Sequence, residues 1–86
     1  MSTQVVHDEA AHRFRATVEG HDVVLDYALG DDGSVDFHHT YTPPALRGRG
    51  LAGAVVAAGL AWAESEGRQV HASCWYVREY LEKQGR

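Results

Sequence analysis

The segment that decides the fold is HTYTPPALRGRGLAGAVVAAGLAWAESEG, His39 to Gly67. Its first residues finish an alternating run, and Pro43-Pro44 close it, because proline donates no ladder hydrogen bond and restricts the residue before it. Leu46 to Gly53, LRGRGLAG, then packs three glycines and two arginines into eight positions. The apolar residues that follow recur at helical spacing: Leu51, Ala54, Val55, Ala58, Ala61 and Trp62. Gly67 is a suitable C-terminal stop for that helix. Gly53 and Gly59 each cost roughly 1 kcal/mol against alanine inside a helix, a cost that close packing against a sheet or a partner offsets. The segment therefore reads as a strand, a glycine-rich turn and a helix.

Downstream, RQVHASC (68–74) is a short strand and WYVREYLEKQ (75–84) a closing helix, with Trp75 or Tyr76, Tyr80 and Lys83 at turn spacing. The central helix is long enough for a crossover, so the strands on either side of it are predicted to run parallel. Upstream, HRFRATVEG alternates with Phe14, Ala16 and Val18 on one face. Glu19-Gly20-His21 is a turn, and DVVLDYAL follows with Val23, Leu25, Tyr27 and Leu29 on one face. GDDG (30–33) is a hairpin signal. SVDFHHTYT then carries Val35, Phe37, His39 and Tyr41 on one face. Residues 1–11 read as a loose leader or a fraying strand. The order is β-β-β-α-β-α. It predicts an α+β domain with a mixed, mostly antiparallel sheet of about four strands and helices packed on it.

Eighty-six residues make one small domain, 1–86, with a modest core; dimerisation is a reasonable expectation. The net charge of −4 and the absence of a basic stripe argue against nucleic acid as the main partner. The N-terminus has neither a basic start nor an apolar core, so it does not read as a signal peptide. The longest apolar run, Leu51 to Ala63, is too short to span a bilayer. Cys74 is the only cysteine, which suits a reducing cytoplasm. His38 and His39 point to opposite faces of a strand and cannot chelate one metal; no other spacing suggests a metal site.

GRGLAG matches G-x-G-x-x-G, but a dinucleotide-binding turn leaves its strand directly and carries an acidic residue about 20 positions on. Here five residues intervene after the strand, and Arg68 stands at the acidic position. No Gly-Lys-Ser/Thr follows, so a P-loop is excluded. Two readings stay open. The loop is a flexible strand-to-helix connection, or it is an anion site. For the second, the first N–H groups of a helix are unpaired, the helix dipole favours negative charge, and glycine lets an anion approach the backbone.

Arg47 to Ala52 also fits R-x-x-G-x-A. With it, His39-Thr40, Pro43, Gly67 and Cys74-Trp75-Tyr76 stand in an order and spacing that resembles the small, compact GNAT-like N-acetyltransferases with a Cys-x-Tyr/Phe motif. The resemblance spans His39 to Leu81, about half the chain by motif. Ala72 departs from it, since members usually carry a proline shortly before the cysteine, and members extend beyond the last helix.

The resemblance implies acetyl-CoA as donor and a primary amine as acceptor. It implies a pyrophosphate on the N–H groups of Arg47, Gly48, Arg49, Gly50, Leu51 and Ala52, next to Leu46. It implies a pantetheine arm near Tyr41 and Thr42, and a thioester between His39 and Cys74. Cys74 would accept the acetyl group or line the pocket; otherwise it is a small buried apolar residue. His39 would deprotonate the amine or is a hydrogen-bonded core histidine. Tyr76 or Tyr80 would protonate the leaving thiolate or serves packing. Full-length relatives have N-terminal helices that shape the acceptor site; their absence from this pattern implies an open site that admits a small amine or a protein lysine. The competing functions are a CoA-binding module without turnover and a structural or interaction domain.

Overall fold

The structure is a computed structural model and describes residues 4–84. Its elements are β1 (Val6–Asp8), β2 (Arg13–Val18), β3 (His21–Leu29), β4 (Val35–Tyr41), a 3-10 turn (Pro44–Leu46), α1 (Leu51–Ser65), β5 (Val70–Ala72) and α2 (Trp75–Lys83). The five strands lie in sequence order. All neighbours pair antiparallel except β4 and β5, which are parallel across the α1 crossover. The α+β layering and the parallel pair agree with the reading of the sequence.

The first strand is an addition to the four expected. Within the 1–11 leader, Val6 pairs with Arg15 and Asp8 with Arg13. Three residues are too few to show a period, so side chains hold this strand instead. His7 stacks on Phe14 at 4.0 Å and shares a 2.6 Å hydrogen bond with the Tyr27 hydroxyl. Trp62 of α1 closes the group, 4.9 Å from His7 and 5.0 Å from Tyr27.

Turn chemistry explains the antiparallel half. Glu19 and Gly20 both have positive φ (53° and 78°) and connect the Val18–His21 pair. Two left-handed residues are what a two-residue hairpin of primed type needs to match strand twist. At the next turn Gly33, φ 86°, donates its N–H to the Gly30 carbonyl, and the Asp32 carboxylate accepts from the Ser34 N–H.

Phe14, Ala16, Val23, Leu25, Tyr27, Val35 and Phe37 form the buried sheet face under the helices. Leu29, expected among them, is 42% exposed at the end of its strand. The helices make one layer: Gly53 of α1 faces Tyr76 and Tyr80 of α2, and Val77 of α2 joins the same core as Val55 and Val56. Gly59 explains itself. A β-carbon there would lie 2.8 Å from Leu25 Cδ2 and 3.0 Å from Phe37 Cε1. The helix loses propensity and gains a close seat on the sheet.

The expected stripe of α1 is rotated. Leu51, Val55, Val56, Gly59 and Ala63 are buried, whereas Ala61 is exposed and Trp62 is only half-buried. A helix this rich in alanine has almost no preferred face, so contact with the sheet and α2 selects the buried one. In α2 the innermost residue is Val77, and Trp75 is 63% exposed.

Candidate active site

The site begins at a defect in the sheet. Tyr27 pairs with Phe37, but the next residue of β3, Asp26, pairs with His39. His38 is therefore an extra residue in β4, a β-bulge, and side-chain alternation changes phase across it. Thr40, opposite buried Leu25, takes the inward position. His39 sits opposite Asp26 and is exposed. The simple alternation that put His39 and Tyr41 on the core face with Phe37 is thus corrected: one extra residue reverses every position after it.

A fork opens at the same place. Pairing of β4 with β5 ends at Phe37–Ala72, while β4 continues through Tyr41. At the crotch, the Cys74 N–H donates to the Phe37 carbonyl at 3.1 Å. Asp36 accepts two hydrogen bonds from Ser73, 2.9 Å from its N–H and 2.7 Å from its hydroxyl. Cys74 is left 8% exposed, with its sulfur 3.5 Å from Thr40 Oγ1. Thr40, not His39, is the β4 residue that meets the thiol.

Beyond β4 the chain folds over buried Leu46 and enters α1 through Gly48 and Gly50, with φ of 83° and 74°. Left-handed backbone at both positions is why glycine stands there. Gly50 is the N-cap of α1, no side chain caps the helix start, and its first turn has no acidic residue. The leading N–H groups of α1 border a cleft of about 200 Å³ lined by Thr42, Leu46, Arg47, Gly48, Gly50, Leu51, Ala52 and Tyr76. Seven of the residues expected at the cofactor thus share one cleft, and Tyr76 joins them there.

Comparison with known proteins identifies the family. A profile of the GCN5-related N-acetyl-transferase family matches residues 13–86. Protein NATD1 of Xenopus tropicalis is 34% identical over 84 residues, covering 95% of this chain and 77% of that protein. Protein NATD1 of Gallus gallus is 37% identical over 82 residues (93% and 74%), and that of Homo sapiens 35% over 82 residues (93% and 73%). The chain belongs to the GCN5-related N-acetyltransferase family.

Within this domain, two residues expected at the cofactor lie outside the cleft. The Arg49 guanidinium reaches across to the β2–β3 turn and binds Glu19, with N–O distances of 3.0 and 3.5 Å. That contact holds the Glu19 carboxyl below its ordinary pKa, first through the hydrogen bond and then through charge. Tyr41, paired with Val24 after the bulge, is 45% exposed and does not line the cleft. Arg47 stays at the cleft and donates from Nε to the Thr42 carbonyl at 3.0 Å.

Electrostatics single out Cys74. Burial is the largest influence and pushes its thiol pKa up. Hydrogen bonding from the Thr40 hydroxyl, and from backbone N–H groups of Val77, Tyr76 and Thr40, pulls it down and prevails. Cys74 is the N-cap residue of α2, and its sulfur makes no close cap bond. The amides of that first turn favour the thiolate, as a helix N-terminus does. Burial pushes the Tyr76 hydroxyl pKa up, and the neighbouring Tyr80 adds to this, so Tyr76 stays protonated at neutral pH. Tyr80 packs beside Gly53.

Sequence reasoning missed Thr40, Asp36 and Ser73. Nothing in HHTYT distinguishes a bulged strand from a regular one, and the Asp36–Ser73 pair joins residues 37 positions apart. Among the described residues, no group of three His, Cys, Asp or Glu could hold a metal ion, and no helix is long and apolar enough to cross a membrane.

Proposed function

We propose that this chain is an acetyl-CoA-dependent N-acetyltransferase that moves an acetyl group to a primary amine, either of a small molecule or of a protein lysine. The observation that carries the reading is the junction of two features: uncapped α1 amides at a cleft, and a sheet fork with Cys74 at its crotch. In this reading the diphosphate rests on the amides of Gly48 to Ala52 beside Arg47. The pantetheine arm passes Thr42 toward the fork, and the thioester reaches Cys74.

Two routes share this arrangement. In the direct one, the amine attacks the acetyl carbonyl and the CoA thiolate leaves. In the covalent one, the Cys74 thiolate attacks first, the C–S bond to CoA breaks, and an acetyl-cysteine passes its acyl group to the amine. On either route the protonated Tyr76 hydroxyl donates its proton to the departing CoA sulfur, and the amine loses one proton as the amide forms. In this reading the amine enters the fork from the face of the sheet without helices, opposite the thiol, and His39 on that face accepts its proton. A lone free cysteine beside a thioester also suits a reducing compartment such as the cytosol.

The test has two arms. Acetyl-CoA at 100 times its dissociation constant should raise stability by about 2.7 kcal/mol; no thermal shift removes the reading. Turnover with a panel of amines then separates an enzyme from a CoA-binding module. Intact mass after incubation with acetyl-CoA separates the routes: a 1:1 acetyl adduct absent from Cys74→Ala marks the covalent one.

A further inference from the structure

We infer that Thr40 is a positioning residue for Cys74, its hydroxyl donating to the sulfur and holding the thiolate at the fork. This deepens the proposed function and rests on its placement of the thioester at Cys74. Three observations carry it. Thr40 Oγ1 is the one side-chain hydrogen-bond partner of the Cys74 sulfur among the described residues, at 3.5 Å. The threonine reaches the inward face only because His38 is inserted into β4 as a bulge; a regular strand would present His39 instead. The backbone on both sides is tied down, by Cys74 N–H to the Phe37 carbonyl and by Ser73 to the Asp36 carboxylate.

Chemistry sets the direction of the bond. A neutral thiol and a hydroxyl can each donate to the other, but a thiolate can only accept. Deprotonation of Cys74 therefore turns the Thr40 hydrogen toward sulfur. The other groups acting on the sulfur are neutral backbone amides of Tyr76 and Val77 on α2 and of Thr40 on β4. Among the charged and titratable side chains nearest the fork, Arg78 of α2 donates to the Ala72 and Ser73 carbonyls, at 3.3 Å each. Asp36 is bonded to Ser73, Tyr76 is a protonated phenol, and His39 sits across from Asp26 on the opposite face. The hydroxyl is thus the contribution that a single substitution can remove.

The experiment is the pH dependence of iodoacetamide alkylation of Cys74, read by intact mass, in the wild-type chain, Thr40→Val and Thr40→Ser. A hydrogen bond to a charged group is worth about one pKa unit or more, so Thr40→Val should alkylate about tenfold more slowly below its raised midpoint. Thr40→Ser should stay within about twofold of wild type, because it keeps the hydroxyl. Superimposed wild-type and Thr40→Val profiles would overturn the inference. Should Thr40→Val not fold, as judged by circular dichroism, Thr40→Ala replaces it in the same comparison with the same two outcomes. Protection of Cys74 by acetyl-CoA is measured separately: its absence sinks the thioester placement, whereas the effect of Thr40 on the thiol is decided by the profiles alone.

Discussion

Ser73 donates both its N–H and its hydroxyl to the Asp36 carboxylate, at 2.9 and 2.7 Å, across the fork between β4 and β5. Asp36 belongs to a strand and Ser73 to the junction that delivers Cys74 to its place. The pair sets where the thiol sits without touching it, and it offers the first test.

The Ser73 hydrogen bonds lower the Asp36 pKa against a smaller upward push from burial. A carboxyl depressed in the folded state contributes stability above its unfolded pKa, near 4, and loses it as pH falls through the folded value. Asp36→Ala should cost about 1 kcal/mol near pH 7, a modest figure because the pair is exposed. The gap between wild type and variant should close below about pH 4. Urea melts from pH 2 to pH 8 check it; a gap independent of pH would mean that the carboxylate charge is not what holds Ser73.

Gly59 and Gly53 should respond oppositely to alanine. At Gly59 the new methyl meets Leu25 at 2.8 Å and Phe37 at 3.0 Å, so overpacking of about 1–3 kcal/mol outweighs the helix-propensity gain. At Gly53 the nearest atoms are Tyr80 Cε2 and Tyr76 Oη, at the ordinary contact distances of 3.8 and 3.9 Å. Gly53→Ala should be neutral or stabilising by up to about 1 kcal/mol. Thermal melts of the two variants side by side decide it.

Gly50→Ala tests the amide cradle. The N-cap φ of 74° costs an L-residue roughly 1–2 kcal/mol, while the space around its missing β-carbon is open. The domain should therefore stay folded with a lowered melting temperature. Acetyl-CoA affinity should fall more steeply than stability, because relaxation of that φ turns the first amides of α1. Calorimetric titration of the folded variant measures this, and an unchanged dissociation constant would remove the diphosphate from the loop.

The two arginines of the loop should separate. Arg47 lines the cleft, so Arg47→Ala should weaken acetyl-CoA binding about tenfold through loss of one charged contact. Arg49 is bound to Glu19, and Arg49→Ala should change affinity by less than about threefold, as expected for a solvent-screened group. Binding isotherms at two salt concentrations check both; equal losses would place Arg49 on the ligand as well.

Local chemistry is what the sequence by itself determined. Proline at a strand end, glycines before an apolar run and paired turn residues each constrain backbone within a few positions. For that reason the antiparallel hairpins, the crossover helix and the parallel β4–β5 pair were all legible. Thr42, Leu46, Arg47, Gly48, Gly50, Leu51 and Ala52 stand with Tyr76 around one cleft, and Arg49 and Tyr41 outside it. Tertiary structure decided what depends on partners distant in the chain. Trp62, Tyr27 and Phe14 recruited a first strand from the leader by enclosing His7. The sheet and α2 chose the buried face of an alanine-rich α1. Above all, the pairing of β4 with β3 inserted His38 as a bulge, and so brought Thr40 rather than His39 to Cys74. Alternation along a strand is a local rule, but its phase is set by the neighbouring strand, and no residue within HHTYT carries that information.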